Sequence, residues 1–277
     1  MAGKREKEEP HTVMRFMLLF AMIAGLTVGA SAPPSAVSPV LAAEDPSLLI
    51  PEEVLASETE EEIVEPAAPV RPETMVVAEA AEPVDESYFT DTVFVGDSRT
   101  HGLALYGGME EAQYLHAVGA TVESVFTKKT QETANGTVPM LDALADMEAE
   151  KIYIMLGVNE LGWPQTEKFR EQYGKLIDRV REDHPDAEVI IQSILPVSAK
   201  QEAKKTYVNN QRINTFNAIL EELAIDKLCP YLDVAEAVIG EDECLRSELT
   251  SDGVHLNTKG CKVWLEYLKS HPIPEIA

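Results

Sequence analysis

Three residues of this 277-residue chain have the side chains and the spacing of an acyl-transfer site. Ser98 follows a short apolar segment and begins a predicted helix. Its hydroxyl would therefore lie at the edge of a sheet, where a helix N-terminus stabilises developing negative charge. Asp252 and His255 stand three residues apart on one loop. That spacing lets the carboxylate fix the tautomer of the imidazole and leaves the second ring nitrogen free to act as a base.

Two further segments could supply hydrogen-bond donors to a substrate oxygen. Asn159 lies two residues after Gly157 in a loop that follows an apolar strand, and Gly119 follows another strand. Each residue taken alone also has a simpler interpretation, because Ser98 or Asp97 could cap a helix and the others could form turns. A nucleophile, an oriented base and separate oxyanion donors are together what acyl transfer requires.

Short apolar strands alternate with amphipathic helices from residue 87 onward. The strands are predicted at 92–95, 114–118, 151–156, 188–194 and 228–232. Apolar residues at steps of three and four predict helices around Val138, Leu141 and Leu144, around Phe169, Tyr173, Leu176 and Val180, around Ile213, Phe216, Leu220 and Leu223, and over 258–269. We therefore expect an α/β domain, a three-layer α/β/α sandwich around a central parallel sheet of about five strands. Ligands of such sheets bind outside the carboxyl ends of the strands, which is where the candidate residues would meet.

The sequence resembles the SGNH hydrolases, also called GDSL esterases/lipases, over about residues 90–270. It lacks the G-x-S-x-G pattern of α/β-hydrolases, because Thr100 stands in place of the second glycine. Four blocks carry the resemblance in matching order: Phe94-Val95-Gly96-Asp97-Ser98, Gly119, Gly157-Val158-Asn159-Glu160 and Asp252-Gly253-Val254-His255. Glu160 departs from the family pattern, which usually has Asp after the asparagine. The run GDSRTHGL at 96–103 is more similar to exported or membrane-attached members of Gram-positive bacteria.

The resemblance implies an α/β fold of flavodoxin-like type and a Ser-His-Asp mechanism without a metal or organic cofactor. It implies a nucleophile, a base and an orienting acid at Ser98, His255 and Asp252. It also implies oxyanion donors from the backbone N–H groups of Ser98 and Gly119 and from the side chain of Asn159.

Two residues near these blocks are candidates for the substrate pocket. Arg99 could make the pocket edge locally basic, and Trp163 could line the pocket or simply pack its loop. The cysteines allow two interpretations in an exported protein: Cys244 and Cys261 could pair and leave Cys229 free, or all three could be buried thiols. Their spacing contains no close metal-binding pair.

The net charge of −25 is distributed unevenly along the chain. Residues 1–43 have a net charge of +1, residues 44–86 of −13 and residues 87–277 of −13. This balance argues against a nucleic-acid binder, which needs a basic surface to displace phosphate counterions, and against docking of the folded part on anionic lipid. It favours a neutral or weakly charged substrate.

The three segments predict three parts of the chain. Residues 1–43 combine a basic start with an apolar run at 16–28 and small residues after it, which is typical of an export signal or an N-terminal membrane anchor. Residues 44–86 contain six prolines and fourteen acidic residues, and we expect a disordered linker that acts as a tether or a solubilising spacer. Residues 87–277 would form the hydrolase domain.

These observations favour an extracytoplasmic serine esterase, secreted or tethered to the membrane by its N-terminal segment. The expected partner is an acyl-ester substrate, with a small acetyl-like acyl group on a cell-envelope glycan. One alternative is an acyltransferase that passes the acyl group to or from an envelope polysaccharide. Another is a non-catalytic envelope-binding module, and the sequence leaves the oligomeric state open.

Overall fold

The computed structural model describes residues 71–274. Numbered along the chain, its strands are β1 Thr92–Gly96, β2 Gln113–His116, β3 Lys129–Thr133, β4 Gly136–Pro139, β5 Lys151–Met155, β6 Glu188–Gln192 and β7 Tyr231–Leu232. Its helices are α1 Ser98–Tyr106, α2 Met140–Ala145, α3 Thr166–Asp183, α4 Ala199–Glu202, α5 Asn210–Lys227, α6 Val234–Val238 and α7 Thr258–Ser270.

A five-stranded parallel sheet in the order β2-β1-β5-β6-β7 forms the centre of the domain. Alternate residues of each strand face opposite sides, as the period of two requires. Val93, Ile152 and Ile191 pack with α2, α3 and α5, whereas Phe94 and Tyr153 pack with α1, α6 and α7. The expected three-layer α/β/α architecture is confirmed, and all five predicted strands belong to this sheet.

The hairpin of β3 and β4 was not predicted from the sequence, and neither were the short helices α4 and α6. We predicted Val138 on a helix face with Leu141 and Leu144, which is wrong for Val138 because it lies in β4. The residue before a proline is driven to extended backbone, so Val138 stays in the strand and α2 begins only after Pro139. Gly136, with φ of +110°, follows the two-residue turn of the hairpin.

Residues 71–86, which the sequence analysis assigned to the linker, lie along the domain. Val76 pairs in parallel with Tyr231 at the free edge of β7, and the Val77 N–H donates to the Tyr231 carbonyl (2.9 Å). The Val77 side chain is 7% exposed and joins the core beneath α7. These contacts explain why residues 71–86 adopt a defined position, since the burial of an apolar residue offsets the entropy lost when the chain is fixed. The rest of the predicted linker and the predicted export segment lie outside the described residues.

The three cysteines are free, buried thiols, so Cys244 and Cys261 do not form a pair. Between residues 71 and 274, no helix has the length and apolar character needed to span a membrane.

Candidate active site

Ser98 occupies the first position of α1, directly after the carboxyl end of β1. The capping role belongs to Asp97, whose Oδ1 accepts the N–H of Arg99 (2.8 Å). The turn is tight at Gly96, where an added Cβ would lie 2.0 Å from Thr100 Oγ1 and 2.6 Å from the Met155 carbonyl oxygen. Because Asp97 caps the helix, the Ser98 hydroxyl is free to face the cavity.

His255 and Asp252 complete a chain of hydrogen bonds with the serine. His255 Nε2 lies 2.9 Å from Ser98 Oγ, and His255 Nδ1 lies 2.7 Å from Asp252 Oδ2. The loop that carries both residues is tied by Thr250, which donates its hydroxyl to the His255 carbonyl (2.7 Å) and accepts the N–H of Gly253 (2.9 Å). The sequence separation of 157 residues between the serine and the histidine is thus closed by the fold.

The second oxygen of Asp252 is bound independently of the imidazole. Its Oδ1 accepts the backbone N–H groups of Val254 and His255, both at 2.8 Å. Partial burial raises the pKa of Asp252, but these two N–H groups and the His255 ring outweigh it and lower the pKa to about 2. The carboxylate is therefore ionised at neutral pH, so His255 carries its proton on Nδ1 and presents an unprotonated Nε2 to the serine.

The candidate oxyanion donors stand at the ends of β2 and β5. Gly119 has φ of +75°, and within the described residues its N–H donates to no protein acceptor. Asn159 lies in a 3-10 turn, Val158–Glu160, and gives one amide N–H to the Ala120 carbonyl (2.8 Å), which leaves its second N–H available. Gly157 begins this turn with φ of +134°, and an added Cβ would lie 2.4 Å from Ile194 Cδ1.

A cavity of about 300 Å³ joins these groups. Ser98, Gly119, Asn159 and His255 all line it. The remaining wall is mostly apolar and consists of Val118, Val158, Gln201, Tyr207, Val208 and Val254. A site of this size lies at the lower end of the range for small-molecule pockets.

Arg99 and Trp163, the two other pocket candidates, do not line the cavity. Arg99 is 2% exposed, and its Nη1 donates to the Leu195 carbonyl (2.9 Å) beneath the sheet edge. Burial lowers its pKa to about 10, and the charge of Asp97 opposes that shift. The side chain points inward because α1 buries this face. Trp163 packs its loop, and Lys168 lies over its ring at 4.6 Å from the centroid.

Tyr207 and Val208 belong to the cavity wall and were not anticipated from the sequence. They follow α4 in the connection from β6 to α5, and Tyr207 is 59% exposed. The available signal was positional, because this connection leaves the carboxyl end of β6, the same edge that carries Ser98 and Asn159.

Comparison with known proteins assigns the family. The model of the GDSL-like lipase/acylhydrolase family matches residues 94–263. A search of curated protein sequences finds no significant relative.

Solved structures share the fold. A Streptococcus pneumoniae protein whose description refers to platelet activating factor is 23% identical, with a TM-score of 0.53, and the match covers 65% of this chain and 82% of that one. A GDSL-like lipase from Bacteroides thetaiotaomicron is 19% identical, with a TM-score of 0.50 and coverage of 69% and 90%. Since the family model spans more than half of the sequence and includes Ser98, β5 and the loop of His255, this chain belongs to the GDSL-like lipase/acylhydrolase family.

Proposed function

We propose that the protein is an extracytoplasmic serine esterase that hydrolyses small acyl esters, acetyl esters above all, on cell-envelope glycans. The observation that carries the proposal is the hydrogen-bonded series Asp252, His255 and Ser98, which opens into a cavity lined by Gly119 and Asn159. Family membership supports ester chemistry in general.

The first half-reaction acylates the serine. Ser98 Oγ attacks the ester carbonyl carbon while its proton passes to His255 Nε2, and the ionised Asp252 stabilises the resulting imidazolium. The carbonyl oxygen becomes an oxyanion, which the N–H groups of Ser98 and Gly119 and the Asn159 amide would bind. Collapse of the tetrahedral intermediate breaks the bond to the alcohol oxygen, and the alcohol leaves with the proton from His255.

The second half-reaction restores the enzyme. His255 takes a proton from water as the water oxygen attacks the acyl carbon on Ser98. The second tetrahedral intermediate collapses, the serine oxygen leaves and regains its proton from His255, and the free acid is released. A sugar hydroxyl in the place of water would make the same site a transferase.

The preference for small acyl groups rests on the cavity. Its volume of about 300 Å³ is at the lower end of the range for small-molecule sites, which supports a small ester at the reacting centre. The placement outside the cytoplasm rests on the N-terminal sequence, where a basic start precedes the apolar run at 16–28.

The test is hydrolysis of p-nitrophenyl esters from acetate to octanoate, followed by acetylated envelope glycan with and without a free glycan acceptor. We expect kcat/KM to fall at least about tenfold from the shortest to the longest chain, since chains that exceed the pocket lose the fit that orients the carbonyl. Cleavage of octanoate with acetate left intact would contradict the acyl preference. Acyl groups recovered on the acceptor instead of as free acid would identify a transferase. Ser247→Ala, a change at an exposed serine, is the control for Ser98→Ala.

A further inference from the structure

Two consecutive residues of the turn Val158–Glu160 hold the loop at 117–122 from two directions. Asn159 Nδ2 donates to the carbonyl oxygen of Ala120 (2.8 Å), and Glu160 Oε1 accepts the N–H of Val122 (2.6 Å). Gly119 directly precedes the segment that these bonds fix. We propose that Glu160 is a positioning residue of the oxyanion hole, which holds the Gly119 N–H in register with the Asn159 amide; this role rests on the proposed esterase function.

Packing alone does not hold Gly119 in place. A Cβ added to Gly119 would meet no atom within 4 Å, and the side chain of the preceding Val118 is 70% exposed. The loop is anchored on either side of Thr121 by the buried side chains of Ala120 and Val122, and polar contacts complete its fixation. These polar contacts include the two bonds from the turn, the Ala120 N–H to the Ala117 carbonyl (3.0 Å), the Ala117 N–H to the Gly96 carbonyl (3.2 Å) and the Thr121 N–H to Ser124 Oγ (2.9 Å). Among these contacts, the bond to Glu160 ties the C-terminal end of the loop to the turn that carries Asn159.

Burying the carboxyl group of Glu160 is energetically unfavourable. The side chain is 0% exposed, and Oε2 has no hydrogen-bond partner within the described part of the chain. Burying a polar group with incomplete partners is unfavourable, so an apolar residue of similar volume would serve packing alone at lower cost. Unlike an apolar residue, the carboxyl group of Glu160 accepts a hydrogen bond from the buried Val122 N–H.

The neutral form of the acid suits this place next to a developing oxyanion. Burial, with a further contribution from the charge of Asp97, raises the pKa of Glu160 to about 8, although the Val122 N–H opposes the shift. Glu160 is thus mainly protonated at pH 7 and adds little negative charge beside the oxyanion donors. Glutamine has the same shape and charge as the protonated acid.

The length of the side chain is the second requirement. Aspartate at this position is one methylene shorter, so its oxygen would withdraw from the Val122 N–H unless the turn moved. A displacement of about 1 Å in a catalytic group can cost about 10²-fold in rate. Both the acceptor and the reach of Glu160 therefore contribute to the position of Gly119.

The test compares Glu160→Gln, Glu160→Asp and Glu160→Leu in the full chain, with Glu123→Gln as the matched control. Glu123 is a neighbouring carboxylate that is 43% exposed and pairs with Lys168, so its loss leaves the loop contact intact. Two experiments are done on each variant: steady-state kinetics on p-nitrophenyl acetate, which gives kcat and KM, and hydrogen exchange of the amides at 119–122.

We expect Glu160→Gln and Glu123→Gln to stay within about threefold of the wild type in kcat. Glu160→Asp and Glu160→Leu should lower kcat about 10²-fold with KM nearly unchanged, and should accelerate exchange at Val122. If the Leu variant does not fold, the Asp variant, which keeps the carboxyl group, gives the same comparison.

Three results separate the hypotheses. Undiminished kcat in Glu160→Asp, with an active wild type, would overturn the positioning role alone. Unchanged exchange at Val122 in that variant would overturn it as well, without any substrate. A wild type that cleaves no ester would refute the proposed function and with it the catalytic meaning of the contact.

Discussion

Asp252→Asn removes one charge from the site and changes almost nothing in shape. In the wild type, the backbone N–H groups of Val254 and His255 both point at Oδ1, at 2.8 Å. These donors force the oxygen of the asparagine amide into the same place. The amide NH₂ must then occupy the position of Oδ2, which lies 2.7 Å from His255 Nδ1.

The consequence is an exchange of tautomers. An NH₂ group facing Nδ1 requires that nitrogen to be unprotonated, so the proton moves to Nε2 and the base that faces Ser98 is lost. In serine hydrolases, the same replacement of the orienting aspartate by asparagine lowers kcat about 10⁴-fold. That factor corresponds to about 5.4 kcal/mol of transition-state stabilisation. Because the pKa of Asp252 is about 2, its charge is present throughout the assay range from pH 5 to pH 8.

The assay is the turnover of p-nitrophenyl acetate by the purified Asp252→Asn variant, compared with Asp242→Asn. Asp242 is a fair control because its Oδ1 also accepts a backbone N–H two residues ahead, that of Cys244 (3.2 Å), without contact to the histidine. The control should retain wild-type kcat. An Asp252→Asn variant with more than a tenth of wild-type kcat would refute the assignment of the tautomer and the role of the carboxylate.

Three further results are expected. Gly157→Ala should destabilise the fold by about 1–3 kcal/mol in urea unfolding and lower kcat, because a Cβ there would stand 2.4 Å from Ile194 Cδ1 at a positive φ; an unaffected midpoint would contradict this. Removal of residues 71–86 should lower the unfolding free energy by at least about 1 kcal/mol through the loss of Val77 burial, and a truncated chain as stable as one that begins at residue 71 would show that the segment contributes nothing. The pKa of Glu160 is raised from 4.5 to about 8 in the native chain, so the native chain binds more protons than the unfolded chain between these pH values. The free energy of unfolding should therefore fall as the pH rises from about 4.5 to 8. An equally steep fall in Glu160→Gln would contradict this assignment.

The sheet was predictable because its central strands are short apolar segments that alternate with amphipathic helices. β1, β5 and β6 are buried on both faces, and such strands appear in the sequence as continuous runs such as Lys151–Leu156. The hairpin of β3 and β4 was not predictable from hydropathy, because its strands are half-exposed and mixed in composition. Its signal was the pair Asn135-Gly136 before Pro139, which the helical spacing of Leu141 and Leu144 obscured.

Among the site residues, those with distinctive chemistry were predictable and those with generic side chains were not. Residue type and spacing were enough to predict Ser98, Asp252 and His255 as site residues. Tyr207 reaches the cavity only because α4 and its following turn bring it there, and no local pattern encodes that path. Arg99 shows the opposite error, since a charged residue beside the nucleophile suggested an exposed pocket edge, whereas the rotation of α1 buries it.

The most direct test of the account is the identity of the residue that a fluorophosphonate labels. The central claim is that Ser98 is activated by His255, so its oxygen should displace fluoride and form a bond to phosphorus, with the proton transferred to His255. We predict that peptide mass spectrometry finds one labelled site, at Ser98, and that Ser98→Ala and His255→Ala abolish labelling while Ser247→Ala does not. Labelling of another serine, or undiminished labelling in Ser98→Ala, would contradict the account.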